Sequence, residues 1–214
     1  YNDPSALDPT QGPVFDNDRM EKSWEGFDII HSTWEDEKIN SNHEVLYNQK
    51  PKDAGFRNVN YQVTSSLAGL KKAKEKGFDF CLKWRSDYVP SNADNLFTLF
   101  NKEALNFIAW SDHDGGYLID YFFAGKTDYL IEIFETMQEL EETCKRYFPE
   151  QKLTIATRQL VEEKCLKANY ILNKFDDSND CMFIRPGDDY NTSNTVWQND
   201  KHWQNDLTKQ NRWA

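Results

Sequence analysis

The sequence predicts an α/β fold: a mostly parallel central sheet flanked by helices on both faces. Apolar runs short enough for strands alternate with segments whose apolar residues recur every three or four positions. A length of 214 residues suits one such domain over residues 1–214 with a sizeable core. Charge also collects at the end of one strand-like run, FDFCLKWRSDYVP (78–90), the place where open α/β sheets hold ligands.

After a Pro-rich lead, residues 16–25 suit a short helix, and GFDIIHSTW (26–34) alternates into a strand. EVLYNQ (44–49) follows as a second strand. From Asn58 to Lys76, Val59, Val63, Leu67, Leu70 and Ala73 mark one face of a helix that closes on lysines and Gly77. The next strand, 78–90, points Asp79, Cys81, Lys83, Arg85 and Asp87 to one side and Phe80, Leu82, Trp84 and Ser86 to the other.

Residues 92–101 suit a helix, ALNFIAWSDHDGG (104–116) a strand running into an Asp/Gly loop, and YLIDYFFAGKTD (117–128) a further strand. Residues 127–142 form an amphipathic helix with Leu130, Ile131, Phe134, Met137 and Leu140 inward. Residues 153–168 form another, with Val161, Cys165 and Ala168 inward. CMFIRP (181–186) is a late strand, and the tail 187–214, with Trp197, Trp203 and Trp213 among polar residues, is expected to wrap over the active-site side.

The composition narrows the function. Aromatics at 14% and hydrophobic residues at 38% support a packed core, while a net charge of −11 repels nucleic acid and anionic membranes. A phosphate ligand is therefore expected to come with a cation. No apolar run reaches the roughly 20 residues of a membrane span, and YNDPSALDPTQG lacks the basic start and apolar centre of a signal peptide. The expectation is a cytoplasmic chain whose four cysteines, Cys81, Cys144, Cys165 and Cys181, are reduced and packed.

Five groups could carry chemistry. Arg85-Ser86-Asp87 ends its strand with a guanidinium for phosphate and a carboxylate for a divalent ion, although a plain surface ion pair suits the same residues. Thr33, Trp34, Glu35 and Asp36 follow another strand and could grip a base or ribose, or form a solvated turn. Arg57, Asn58, Asn60 and Gln62 open the long helix, where free N–H groups favour an anion and Asn58 could equally be only a cap. Asp112-His113-Asp114-Gly115-Gly116, with Asp120 beyond, suits sugar hydroxyls or a tight turn. Asp200-Lys201-His202-Trp203 offers an imidazole for a metal. Gly-Lys-Ser/Thr, GxGxxG and GxSxG are all absent, which removes the usual parts of P-loop, NAD-dependent and α/β-hydrolase enzymes.

Gln11-Gly12-Pro13, DIIHSTWE (28–35), NVNYQVTSSLAGLKKAK (58–74), LKWRSDYV (82–89) and LIDYFFAGKTDYL (118–130) occur in an order that resembles WavE-type polysaccharide-synthesis proteins. More closely, they resemble the N-terminal domain of a chlorella-virus glycosyltransferase. The resemblance covers residues 11–135 and implies the GT-A (nucleotide-diphospho-sugar transferase) fold and a UDP-sugar-dependent hexosyltransferase, of viral or surface glycan synthesis, acting on a glycan acceptor.

By that resemblance Arg85-Ser86-Asp87 looks like the family's DxD-type motif with Arg in place of the first Asp. Asp87 and His202 would then hold Mn²⁺ or Mg²⁺. Gln11, Thr33 and Asp36 would line the nucleoside pocket, with Gly12 also binding the nucleotide. Arg57, Asn60, Arg85 and Ser86 would complete the nucleotide site, with the arginines on the phosphates, and Asp120 or Asp112 would be the catalytic carboxylate. Two other readings use the same residues. A non-catalytic glycan-binding domain would stack sugars on the tail tryptophans, and a metal-dependent phosphohydrolase would use Asp87, Asp112, Asp114 and His202.

Overall fold

A computed structural model describes residues 21–85, 89–90, 97, 100–109, 118–143, 145, 147–172 and 183–184. After a helical turn at 21–23, the chain forms β1 (Ile30–Trp34) and β2 (Glu44–Asn48), which pair in parallel. Helix α1 (Val59–Glu75) follows and buries the five residues that its periodicity marks: Val59, Val63, Leu67, Leu70 and Ala73. Gly77, at φ +84°, makes the left-handed turn that ends this helix and releases the chain into β3 (Phe80–Trp84).

Next come β4 (Val89–Pro90), β5 (Ala104–Ala109), β6 (Leu118–Lys126), α2 (Thr127–Thr143), α3 (Pro149–Lys164), β7 (Lys167–Leu172) and β8 (Phe183–Ile184). The main sheet has the order β3-β6-β5-β7, while β4 and β8 pair as a separate antiparallel ribbon. The fold is thus mixed α/β, as expected, but its sheet is not mostly parallel. Strand β6 runs antiparallel to both β3 and β5, and among the described residues only β5 and β7 are parallel within the main sheet. Chain length explains the difference. The connection 110–117 between β5 and β6 is shorter than the dozen or so residues of a parallel crossover, whereas β5 and β7 are separated by two helices.

Two further expectations are corrected around α3. The helix starts at Pro149, ahead of residue 153, because proline at its first position needs no N–H partner and presets the helical φ. It ends at Lys164, where Cys165 turns left-handed at φ 51°, and Ala168 lies in β7 instead. The helix buries Leu153, Ala156 and Leu160, and Val161 packs half-buried against the same core, as expected. Cys165 is exposed rather than packed, and Cys81 is a half-buried free thiol whose Sγ lies 3.1 Å from Thr127 Oγ1.

Strand β6 explains where the core sits. Phe122, Phe123 and Ala124 are all fully buried, so both faces of the strand are covered and its apolar run is continuous. Phe123 joins Phe107, Leu130, Phe134 and Met137 under the helices. On the opposite side Phe122 stacks on Trp84 at 5.8 Å, and Trp24, Phe97 and Phe100 extend that aromatic layer. Each such side chain contributes roughly 1.5–3 kcal/mol on burial. Asp120 is the exception in this strand: a buried carboxylate two residues before Phe122.

Candidate functional site: the end of β3

Antiparallel pairing sets Trp84 opposite Phe122 and so brings the C-terminal end of β3 beside the first half of β6. One residue beyond β3, Arg85 Nη1 lies 3.1 Å from each carboxylate oxygen of Asp120. Gln62 Nε2, one turn into α1, donates to Asp120 Oδ2 at 2.8 Å. Lys83 Nζ donates to the Asp120 main-chain carbonyl at 2.5 Å. The buried carboxylate is thereby tied to a strand and a helix, which offsets the cost of taking it out of water.

The starts of α1 and α3 meet at the same place. The Phe56 and Phe148 rings lie 5.2 Å apart, and the Arg57 guanidinium sits 5.9 Å and 5.6 Å from their centroids. Arg57 and Asn58 are both left-handed, at φ 56° and 62°, a costly backbone for side-chain-bearing residues. Helix α1 has no acidic residue in its first turn and no side-chain cap from Asn58. Two positive helix ends and three cations, Arg57, Lys83 and Arg85, thus gather in an otherwise acidic protein.

A cleft of about 1500 Å³ connects these groups. It is bounded by β1, β3 and α1, and its lining includes Thr33, Trp34, Tyr61, Arg85, Asp120 and Glu150. Trp34 and Tyr61 present tilted rings 5.3 Å apart. Thr33 is buried, and its hydroxyl donates to the Glu37 carboxylate. Glu150, in the first turn of α3, is half-buried, and burial raises its carboxyl above the usual range. A hydrogen bond from its own main-chain N–H opposes that rise, the Asp120 charge adds to it, and Arg85 and Lys83 oppose it.

Of the sequence-predicted residues, Thr33, Trp34, Arg57, Asn58, Gln62, Arg85 and Asp120 line this one cleft. Asp36 and Asn60 are not among its lining residues. Asp36 sits in the exposed turn after β1 and pairs with Lys50 at 2.6 Å, a hydrogen bond that holds its carboxyl low. Asn60 donates to the Asp53 carbonyl at 3.1 Å and fastens the loop before α1. Gln11, Gly12, Ser86, Asp87, Asp112 and His202 lie outside the described residues. Among the described residues, no group of three or more His, Cys, Asp or Glu side chains could hold a metal ion.

Glu150 went unmarked in the sequence. Phe148-Pro149-Glu150-Gln151 carried its signal: proline followed by an acidic residue marks a helix start, which would have placed the carboxylate at a helix N-terminus. No family model matches this chain, and no curated protein matches it at a significant level. Among the described residues no helix is long and apolar enough to cross a membrane.

Proposed function

We propose that this chain is a GT-A-type glycosyltransferase that moves a sugar from a UDP-sugar to a glycan acceptor. The observation that carries the reading is the convergence of Arg57, Lys83, Arg85 and the starts of α1 and α3 at the end of β3, beside Asp120. Guanidinium groups and helix N-termini suit a diphosphate, and the Trp34–Tyr61 rings offer the uracil a stacking surface in the same cleft. The resemblance of residues 11–135 to WavE-type proteins supplies the sugar-transfer chemistry and the divalent ion on Asp87 and His202.

On this reading the residues divide the work. Arg57 and Arg85 neutralise the phosphates of the leaving UDP, and Lys83 fixes the β6 backbone that carries Asp120. Asp120, held by Arg85 and Gln62, orients the donor sugar. A bound Mn²⁺ or Mg²⁺ would supply further charge neutralisation to the departing diphosphate.

Calorimetric titration of UDP, GDP and CMP, each with Mn²⁺ and with EDTA, tests the reading on wild type, Arg85→Ala and Asp87→Ala. Preferential binding of UDP that weakens with EDTA and in both variants is the expected result. Absence of binding to every nucleotide would exclude the transferase and favour a glycan-binding domain.

A further inference from the structure

Two carboxylates, Asp120 and Glu150, line the end of the cleft, and their surroundings differ. Both Asp120 oxygens accept from Arg85, and one of them also accepts from Gln62. The strand β6 backbone fixes where that carboxylate stands. Among the described residues, the Glu150 carboxylate accepts a hydrogen bond from its own main-chain N–H and makes no ion pair. It projects from the first turn of α3, half-buried, where Pro149 is fully packed and fixes the start of the helix. A carboxylate held by a guanidinium and an amide is a poor proton acceptor, whereas one that faces the cleft with only its own main-chain N–H as donor keeps lone pairs available.

We propose that Glu150, rather than Asp120, accepts the proton from the acceptor hydroxyl during sugar transfer. The inference rests on the transferase reading above. The acceptor O–H proton passes to a Glu150 carboxylate oxygen as the acceptor oxygen bonds to the sugar anomeric carbon. The bond from that carbon to the β-phosphate oxygen breaks, and its electron pair leaves with UDP. One displacement with no covalent intermediate inverts the anomeric centre. The upward shift of the Glu150 carboxyl by burial favours this role, because a base works best with its pKa near the working pH.

The test uses the full chain with UDP-glucose, UDP-galactose, UDP-N-acetylglucosamine and UDP-glucuronate, and follows UDP release with and without glycan acceptors. Glu150→Gln should bind UDP as tightly as wild type, since it removes no donor from the phosphates, and should release UDP about 100-fold more slowly or worse. It should also lose the acidic limb of the pH–rate profile. Formate should restore part of the activity of Glu150→Ala. Activity of Glu150→Gln within threefold of wild type, equal losses in UDP affinity and UDP release, or a product that keeps the donor's anomeric configuration would each overturn the proposal. UDP binding with no turnover of any donor overturns it too. Wild-type protein that binds no UDP overturns the transferase reading itself, so the two failures are distinguishable.

Discussion

Arg85 and Asp120 join two strands at the end of the cleft, with one guanidinium nitrogen 3.1 Å from both carboxylate oxygens. Asp120 is buried, while the Arg85 side chain keeps 35% of its exposure. Arg85→Met should cost about 2 kcal/mol, less than the roughly 3–5 kcal/mol of a fully buried pair, because water still reaches the arginine site. Urea unfolding measures the loss. Combining Arg85→Met with Asp120→Asn should recover part of it, and a double variant less stable than the single one would show that the pair is not what matters.

Glu150 gives a pH signature. Its folded-state carboxyl is raised above the ordinary value of 4.5, so its contribution to stability is fully present below that value and is lost as pH rises through the folded-state value. Glu150→Gln should therefore melt at a higher temperature than wild type at pH 8, with the gap closing by about pH 4. A gap that is constant from pH 4 to 8 would contradict the shift.

Two glycines should respond in opposite directions. A Cβ on Gly125 would stand 2.8 Å from Leu105 Cδ2 in the packed core, so Gly125→Ala should cost about 1–3 kcal/mol. On Gly69, inside α1, the nearest atom would be Ser32 Cβ at 3.5 Å, an ordinary contact. Gly69→Ala should stabilise by roughly 0.5–1 kcal/mol through helix propensity. Denaturation midpoints of the two variants read both signs.

The left-handed pair before α1 predicts a trade between stability and binding. Asn58→Gly removes a side chain from φ 62° and should stabilise by about 0.5 kcal/mol, seen as a raised melting temperature. The same change loosens the backbone that holds Arg57 against Phe56 and Phe148, and UDP affinity should fall several-fold. A lower melting temperature would mean that Asn58 is not strained.

Asn106 is fully buried in β5, and its amide serves several partners. Its Nδ2 donates to the carbonyls of Asn101, Ala104 and Ala124, and its Oδ1 accepts from Asn101 N at 2.8 Å and Asn169 Nδ2 at 2.7 Å. Asn106→Ala strands these groups in the core and should cost about 2–4 kcal/mol by urea unfolding. A loss under 1 kcal/mol would indicate that water replaces the amide.

The elements whose burial is one-sided were the most legible. The five apolar positions of α1 recur with helical period, and all five are buried. Strand β7 is not legible in the sequence because KANYIL follows a helix without a turn-forming glycine, and the helix pattern continues through Cys165 to Ala168. Only the left-handed backbone at Cys165 separates the two elements. Thr33, Arg57, Arg85 and Asp120 could be picked out as polar or charged residues at element ends, but Glu150 belongs to a surface-like PEQK run that hides its half-buried setting.

Periodicity and composition by themselves determined the α/β class, the buried face of α1 and the concentration of charge at the end of β3, because these depend on spacing along one segment. Strand direction and order depend on which segments meet, and tertiary structure alone decided them. It reversed β6 relative to β3, and that reversal is what lays Asp120 beside Arg85. The same folding brought Gln62 from α1 and Glu150 from α3 to one cleft, across separations in sequence that no local pattern encodes.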